Sequence, residues 1–192
     1  MDDCKMKSRL LIAVFAAVLC LPAVGGDKSK PYQGKVHAIP GLIEAEHYDE
    51  GKPGVAYSDV DEKNRGADYR EPTQVDIEKR SDASNGHGIG WTKRGEWIVY
   101  TVELKEPGVY EIEMPVASKK KGGVFHIEFN DKDITGPISV PDTGSWQKLK
   151  MLKHRTKRIA YKGPFLMKVV MDSEGPSKSI ADIDYFKFTK VK

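Results

Sequence analysis

Through the second half of the chain, apolar and polar residues alternate with a period of two, the spacing that puts successive side chains on opposite faces of a strand. In residues 109–116, Tyr110, Ile112, Met114 and Val116 share one side and Glu111 and Glu113 the other. Phe125, Ile127 and Phe129 alternate with His126, Glu128 and Asn130, and the run ends near Asp131-Lys132-Asp133. Residues 97–102, 165–171 and 183–188 are further short runs rich in β-branched and aromatic residues. Turn residues such as Glu106-Pro107-Gly108 separate them, and no convincing amphipathic helix follows residue 41. Short strands punctuated by turns predict an all-β antiparallel sandwich or barrel. Residues 49–85 break the pattern. They are rich in Gly, Asp and Arg, and a loop of that length in a compact domain is usually functional or stabilised by an ion.

The first residues belong to a different kind of segment. Lys5, Lys7 and Arg9 precede an apolar run over 10–24, and Ala23-Val24-Gly25 offers the small residues that a signal peptidase reads. The run is short for a membrane span. Residues 1–25 are therefore expected to be an export signal, which places the mature protein in the periplasm or outside the cell. Residues 26–39 read as an N-terminal arm or linker, and residues 40–192 as one domain. Both cysteines, Cys4 and Cys20, lie in the leader, so neither disulfides nor cysteine metal sites are expected in the mature chain. The formal net charge is only +3, and the basic residues read as scattered among acidic ones, which argues against nucleic acid as a partner. Lys119-Lys120-Lys121 before Gly122-Gly123 reads as a solvated turn.

A set of short motifs then falls in order along the chain: Ile43-Glu44-Ala45-Glu46-His47-Tyr48, Gly88-Ile89-Gly90-Trp91, Gly95-Glu96-Trp97-Ile98-Val99-Tyr100, Thr143-Gly144-Ser145-Trp146-Gln147 and Ile183-Asp184-Tyr185-Phe186. In this order and spacing, over residues 40–190, the sequence resembles the family 6 carbohydrate-binding modules. The resemblance implies a jelly-roll β-sandwich of two antiparallel sheets that binds polysaccharide or oligosaccharide without cleaving it, secreted with or beside a polysaccharide-degrading enzyme. It also implies a structural calcium ion. Glu44 and Glu46 lie two apart, which on a strand gives both carboxylates one face, and calcium takes six to eight hard oxygens. The resemblance adds Asp184 and a backbone carbonyl near Arg80 to the ligand set.

The same resemblance implies a sugar site in which Trp91 and Trp146 lie against the C–H face of a pyranose. Both stand among Gly, Ser, Thr and charged residues, where an indole needed only for packing is less expected. Asp182 stands where the family often carries Asn. A carboxylate only accepts hydrogen bonds, so a hydroxyl-rich, uncharged sugar is favoured unless Lys93 or Arg94 offsets its charge. Trp97 reads as core. If a second site exists on the concave face, Glu96, Trp97 and Tyr100 would belong to it. The competing reading is a small exported glycoside hydrolase or polysaccharide lyase of jelly-roll type, but the Glu-x-Asp-x-Glu pattern of jelly-roll glucanases does not occur.

Overall fold

The computed structural model describes residues 28–191. The expected leader, with both cysteines, lies outside the described residues. Fourteen strands follow one 3-10 turn at Tyr32–Gly34: β1 (His37–Ile39), β2 (Gly41–Glu44), β3 (Tyr57–Ser58), β4 (Ile77–Lys79), β5 (His87–Ile89), β6 (Trp97–Leu104), β7 (Tyr110–Ala117), β8 (Val124–Phe129), β9 (Lys132–Asp133), β10 (Ile138–Ser139), β11 (Lys150–Arg155), β12 (Gly163–Ser173), β13 (Asp182–Ile183) and β14 (Tyr185–Lys190). Among the described residues no helix is long and apolar enough to cross a membrane.

The strands form two sheets. One runs β1-β6-β12-β8-β10, with β3 beside β6 and β9 beside β8; the other runs β2-β14-β7-β13-β5-β4, with β11 on the free side of β7. Pairing is antiparallel except between β1 and β6. Period-two alternation builds the core. Ile98, Tyr100, Val102 and Leu104 of β6 and Met167, Val169 and Met171 of β12 point inward from one sheet. Ile112, Met114 and Val116 of β7 and Phe186 and Phe188 of β14 meet them from the other. Each such side chain contributes about 1.5–3 kcal/mol relative to exposure, and this is the main cohesion of a sandwich with no disulfide among its described residues.

Two features of the second sheet position the sites. Residues 183–188 do not form one strand: Asp184 interrupts the run, so β13 pairs with β5 while β14 pairs with β2. The interruption leaves Asp184 at the junction between two neighbouring strands. The segment read as an arm is also docked. Lys30 bridges Glu50, β1 pairs with β6, and Ile39 is fully buried.

Candidate functional site

One end of the sandwich carries a pocket of about 390 Å³, bounded by Glu78, Trp91, Lys93, Trp146, Gln147, Ser177, Lys178, Ser179 and Asp182. The three residues expected at a sugar site are thus brought together from three separate parts of the chain. Trp91 follows β5, Trp146 lies in the turn before β11, and Asp182 opens β13. Trp91 is 38% exposed and Trp146 half-buried, so both rings wall the pocket without being taken into the core.

Trp91 adopts φ +49°, a left-handed conformation that costs a non-glycine residue about 1–2 kcal/mol. Such strain persists only where the surroundings over-determine it, and here they do. The Trp91 backbone N–H donates to the Asp182 carboxylate. The next residue, Thr92, is bound to the strand leading into β13: its Oγ1 donates to the Ala181 carbonyl at 2.7 Å and accepts from the Ala181 N–H at 3.0 Å. Gly90 allows a close approach, because a Cβ there would lie 3.1 Å from Asp182 Oδ1.

Arg80 holds the opposite wall. Its side chain is 2% exposed and uses five hydrogen bonds: two to Asp82, one each to Glu78 and Asp182, and one from Nη2 to the Trp146 carbonyl at 2.9 Å. Asp82 in turn accepts the Leu149 N–H at 3.0 Å. The turn bearing Trp146 is therefore tied at both ends to the Arg80–Asp82 pair. Asp182 links the two walls, because it accepts from Trp91 on one side and from Arg80 on the other. One guanidinium serves three carboxylates here. Burial, reinforced by Glu78 and opposed by Arg80, pushes the Asp182 carboxyl up to about 7. Arg80 was expected to act through its backbone carbonyl; its guanidinium is the part that the sequence reading missed. The alternation Glu78–Arg80–Asp82 was the available signal, but its partners are far away in the chain.

The expected calcium ligands meet at the junction beside Asp184, though not as expected. β2 ends at Glu44, and Glu46 lies in the following turn, fully buried. The two glutamates are therefore not same-face neighbours on one strand. Ser84 and Asn85 bring the carboxylates into one neighbourhood. Ser84 Oγ donates to Glu44 Oε2 at 2.6 Å and lies 3.1 Å from Asp184 Oδ1, and Asn85 Nδ2 donates to Glu46 Oε1. Among the described residues, no three His, Cys, Asp or Glu side chains are already clustered as a metal cage. Yet Glu46 Oε2 is buried without a hydrogen-bond partner, and burial pushes its carboxyl up to about 7. An orphaned buried oxygen beside two further carboxylates, with a backbone turn close by, is a donor set that fits a hard cation.

The concave face differs from expectation. Trp97 is not core: it faces outward from β6, with Lys168 Nζ 5.5 Å from its ring centroid, and it lines a cleft of about 300 Å³. Tyr100 is fully buried and donates to the Ala45 carbonyl, and Glu96 is buried against the Lys93 N–H, so neither belongs to that cleft. Odd-numbered positions of β6 face out and even-numbered ones in, and a mixed aromatic run conceals that phase.

Fold and pocket together define a β-sandwich with an aromatic-walled pocket at its loop end. The profile for "Carbohydrate binding module (family 6)" matches residues 55–190. The chain belongs to that family. Over 88 residues it is 33% identical to the clotting factor G alpha subunit of Tachypleus tridentatus, covering 45% of this chain and 13% of that protein. The chain thus spans a small part of that relative's length. Similar solved structures include a β-1,3-glucan-binding family 6 module from Bacillus halodurans (23% identity, 80% of this chain, 98% of that one, TM-score 0.59). A family 6 module from Clostridium cellulolyticum in complex with xylose is also similar (22%, 80% and 100%, TM-score 0.58). At these identities the two structures establish a shared fold.

Proposed function

We propose that this module binds an uncharged polysaccharide without cleaving it, holding one sugar between Trp91 and Trp146 over the Asp182 carboxylate. The observation that carries the reading is the pocket itself: two indoles from separate loops wall one cavity and are tied to each other through Asp182 and Arg80. Indole faces match the C–H face of a pyranose, while Asp182 and Glu78 accept from its hydroxyls and disfavour an anionic sugar at this position. Two stacking contacts and a few hydrogen bonds, after the cost of association, correspond to a Kd of about 1 μM to 1 mM. β-1,3-glucan and xylan are the first probes, because similar modules bind β-1,3-glucan or are found with xylose. No pair of carboxylates in this module is assigned an acid–base role.

A calcium ion completes the second part of the reading. Glu44, Glu46 and Asp184 would hold it, with a carbonyl from the turn beginning at Arg80. It would supply positive charge where buried carboxylates have too little. In the full reading, residues 1–25 direct export, and the mature module works in the periplasm or outside the cell.

Affinity electrophoresis through gels containing β-1,3-glucan or xylan tests the binding. The native protein is retarded and releases no reducing sugar. Trp91→Ala and Trp146→Ala each abolish retardation and change stability by no more than about 1 kcal/mol, as for substitutions outside a core. Unfolding of either variant, or retardation that survives both, would place the ligand elsewhere.

A further inference from the structure

Between Asp142 and Asp172 the chain holds eight Lys and Arg residues and no acid, so its basic residues are not evenly mixed with acidic ones. The stretch contains the edge strand β11, which runs antiparallel to β7 and carries charge from one end of the sandwich to the other. Asp182 pairs with Ala117 at the pocket end of β7, whereas Lys190 pairs with Tyr110 at its far end. Seven residue steps of strand separate the two ends by about 23 Å.

At that far end lies an open cleft of about 490 Å³, lined by Arg155, Arg158 and Lys190 around the backbone of Pro107, Gly108 and Val109. Among the described residues neither Arg155 nor Arg158 makes a side-chain hydrogen bond or ion pair, and both are exposed. Lys190 pairs with Glu106 on the rim. The cleft is rigidly framed. Gly108 and Ile159 exchange backbone hydrogen bonds at 2.9 and 2.8 Å, and Val191 N donates to the Val109 carbonyl at 2.9 Å. At the end of β11 the Thr156 N–H donates to the Tyr110 carbonyl, and the Tyr110 N–H donates to Thr156 Oγ1. Two unpaired guanidiniums thus stand beside the Lys190–Glu106 ion pair.

We propose that this cleft is a second binding site, which takes the sulfate or carboxylate groups of an anionic polysaccharide. Planar guanidinium forks match both oxyanions, and arginine donates to them in pairs. The cation count separates the possible partners. Nucleic-acid binders commonly contact about 6–10 phosphates, and polybasic membrane anchors use about 4–8 cations. Two unpaired guanidiniums in one cleft suit individual charged groups along a polysaccharide chain. The inference goes beyond the tryptophan site and does not need it: an uncharged residue of the same polymer could occupy that pocket while a charged one sits here.

The test is elution of the full protein from immobilised dextran sulfate and polygalacturonate across a salt gradient. The native protein is retained, and its log–log salt slope is about 2, as expected for the two unpaired arginines. Arg155→Gln/Arg158→Gln lowers that slope by about 2 and elutes early, with unchanged retardation on neutral glucan. Lys119→Gln/Lys120→Gln, which removes two cations from a solvated turn, elutes with the native protein. Equal elution of the arginine double variant and the native protein would overturn the proposal, as would an equal shift in the lysine control. Tighter retention on single-stranded DNA or anionic vesicles than on both polyanionic polysaccharides would reassign the partner. Loss of neutral-glucan binding with intact polyanion retention would refute the tryptophan site alone.

Discussion

Replacing Arg80 by methionine removes one guanidinium that five hydrogen bonds connect to Glu78, Asp82, Asp182 and the Trp146 carbonyl. Methionine keeps an unbranched stem, so the loss is one of charge and donors more than of volume. Removing one member of a buried ion pair costs about 3–5 kcal/mol, because the other is left uncompensated. Glu78 and Asp82 are partly in water, at 25% and 34% side-chain exposure, and recover part of that loss by solvation. The low end, about 3 kcal/mol, is therefore expected. For a domain of this size 1 kcal/mol moves Tm by about 2–4 °C, which gives a fall of about 6–12 °C. Binding suffers separately, since the Trp146 turn loses its carbonyl anchor: a tenfold weaker Kd corresponds to about 1.4 kcal/mol. Arg80→Lys should fall between the two, since an ammonium keeps the charge but cannot reach all four partners at once. Thermal melting with affinity electrophoresis on neutral glucan measures both effects. A methionine variant that melts within 2 °C of the native protein and is fully retarded would refute the reasoning.

Glu96 provides a pH test behind the wall of the sugar pocket, where it accepts the Lys93 N–H. Burial, only partly offset by the Lys93 N–H, pushes its carboxyl from 4.5 up to about 8. Between those values the unfolded chain has released a proton that the folded one keeps, so this contribution to stability is full below about pH 4.5 and is lost as pH rises towards 8. The slope is at most about 1.4 kcal/mol per pH unit, and Glu96→Gln should flatten it in denaturation curves; parallel curves would exclude the effect. For calcium, chelation should lower Tm and added calcium restore it, with about 2.7 kcal/mol gained at a hundred times Kd. Glu46→Gln should abolish that response, and a Tm indifferent to calcium in the native protein would remove the ion.

Several elements were legible because their signals are local. Alternation over 109–116 and 125–129 marked β7 and β8, since a strand's two faces are written in consecutive residues. Two indoles in polar, glycine-rich turns marked the pocket. The ordered motifs marked the family, and the matched residues 55–190 agree with them. The edge strand β11 was not legible. Its residues Lys150, Met151, Lys153 and Arg155 are exposed, so it lacks the apolar face that betrays a buried strand.

Tertiary structure decided the rest. Whether Trp97 or Tyr100 faces the core depends on the phase of β6 against its partner sheet, and period-two composition does not state that phase. Arg80 could be recognised as the latch of the Trp146 turn only once Asp182, a hundred residues away, was placed beside it. The basic cleft likewise joins Arg155 and Arg158 to Lys190 across a sheet. Strand formation and solvent-facing turns follow from the chemistry of near neighbours, and the amino-acid order determined them. Charge balance in a site follows from which side chains exclude water together, and distant segments settle that only when they pack.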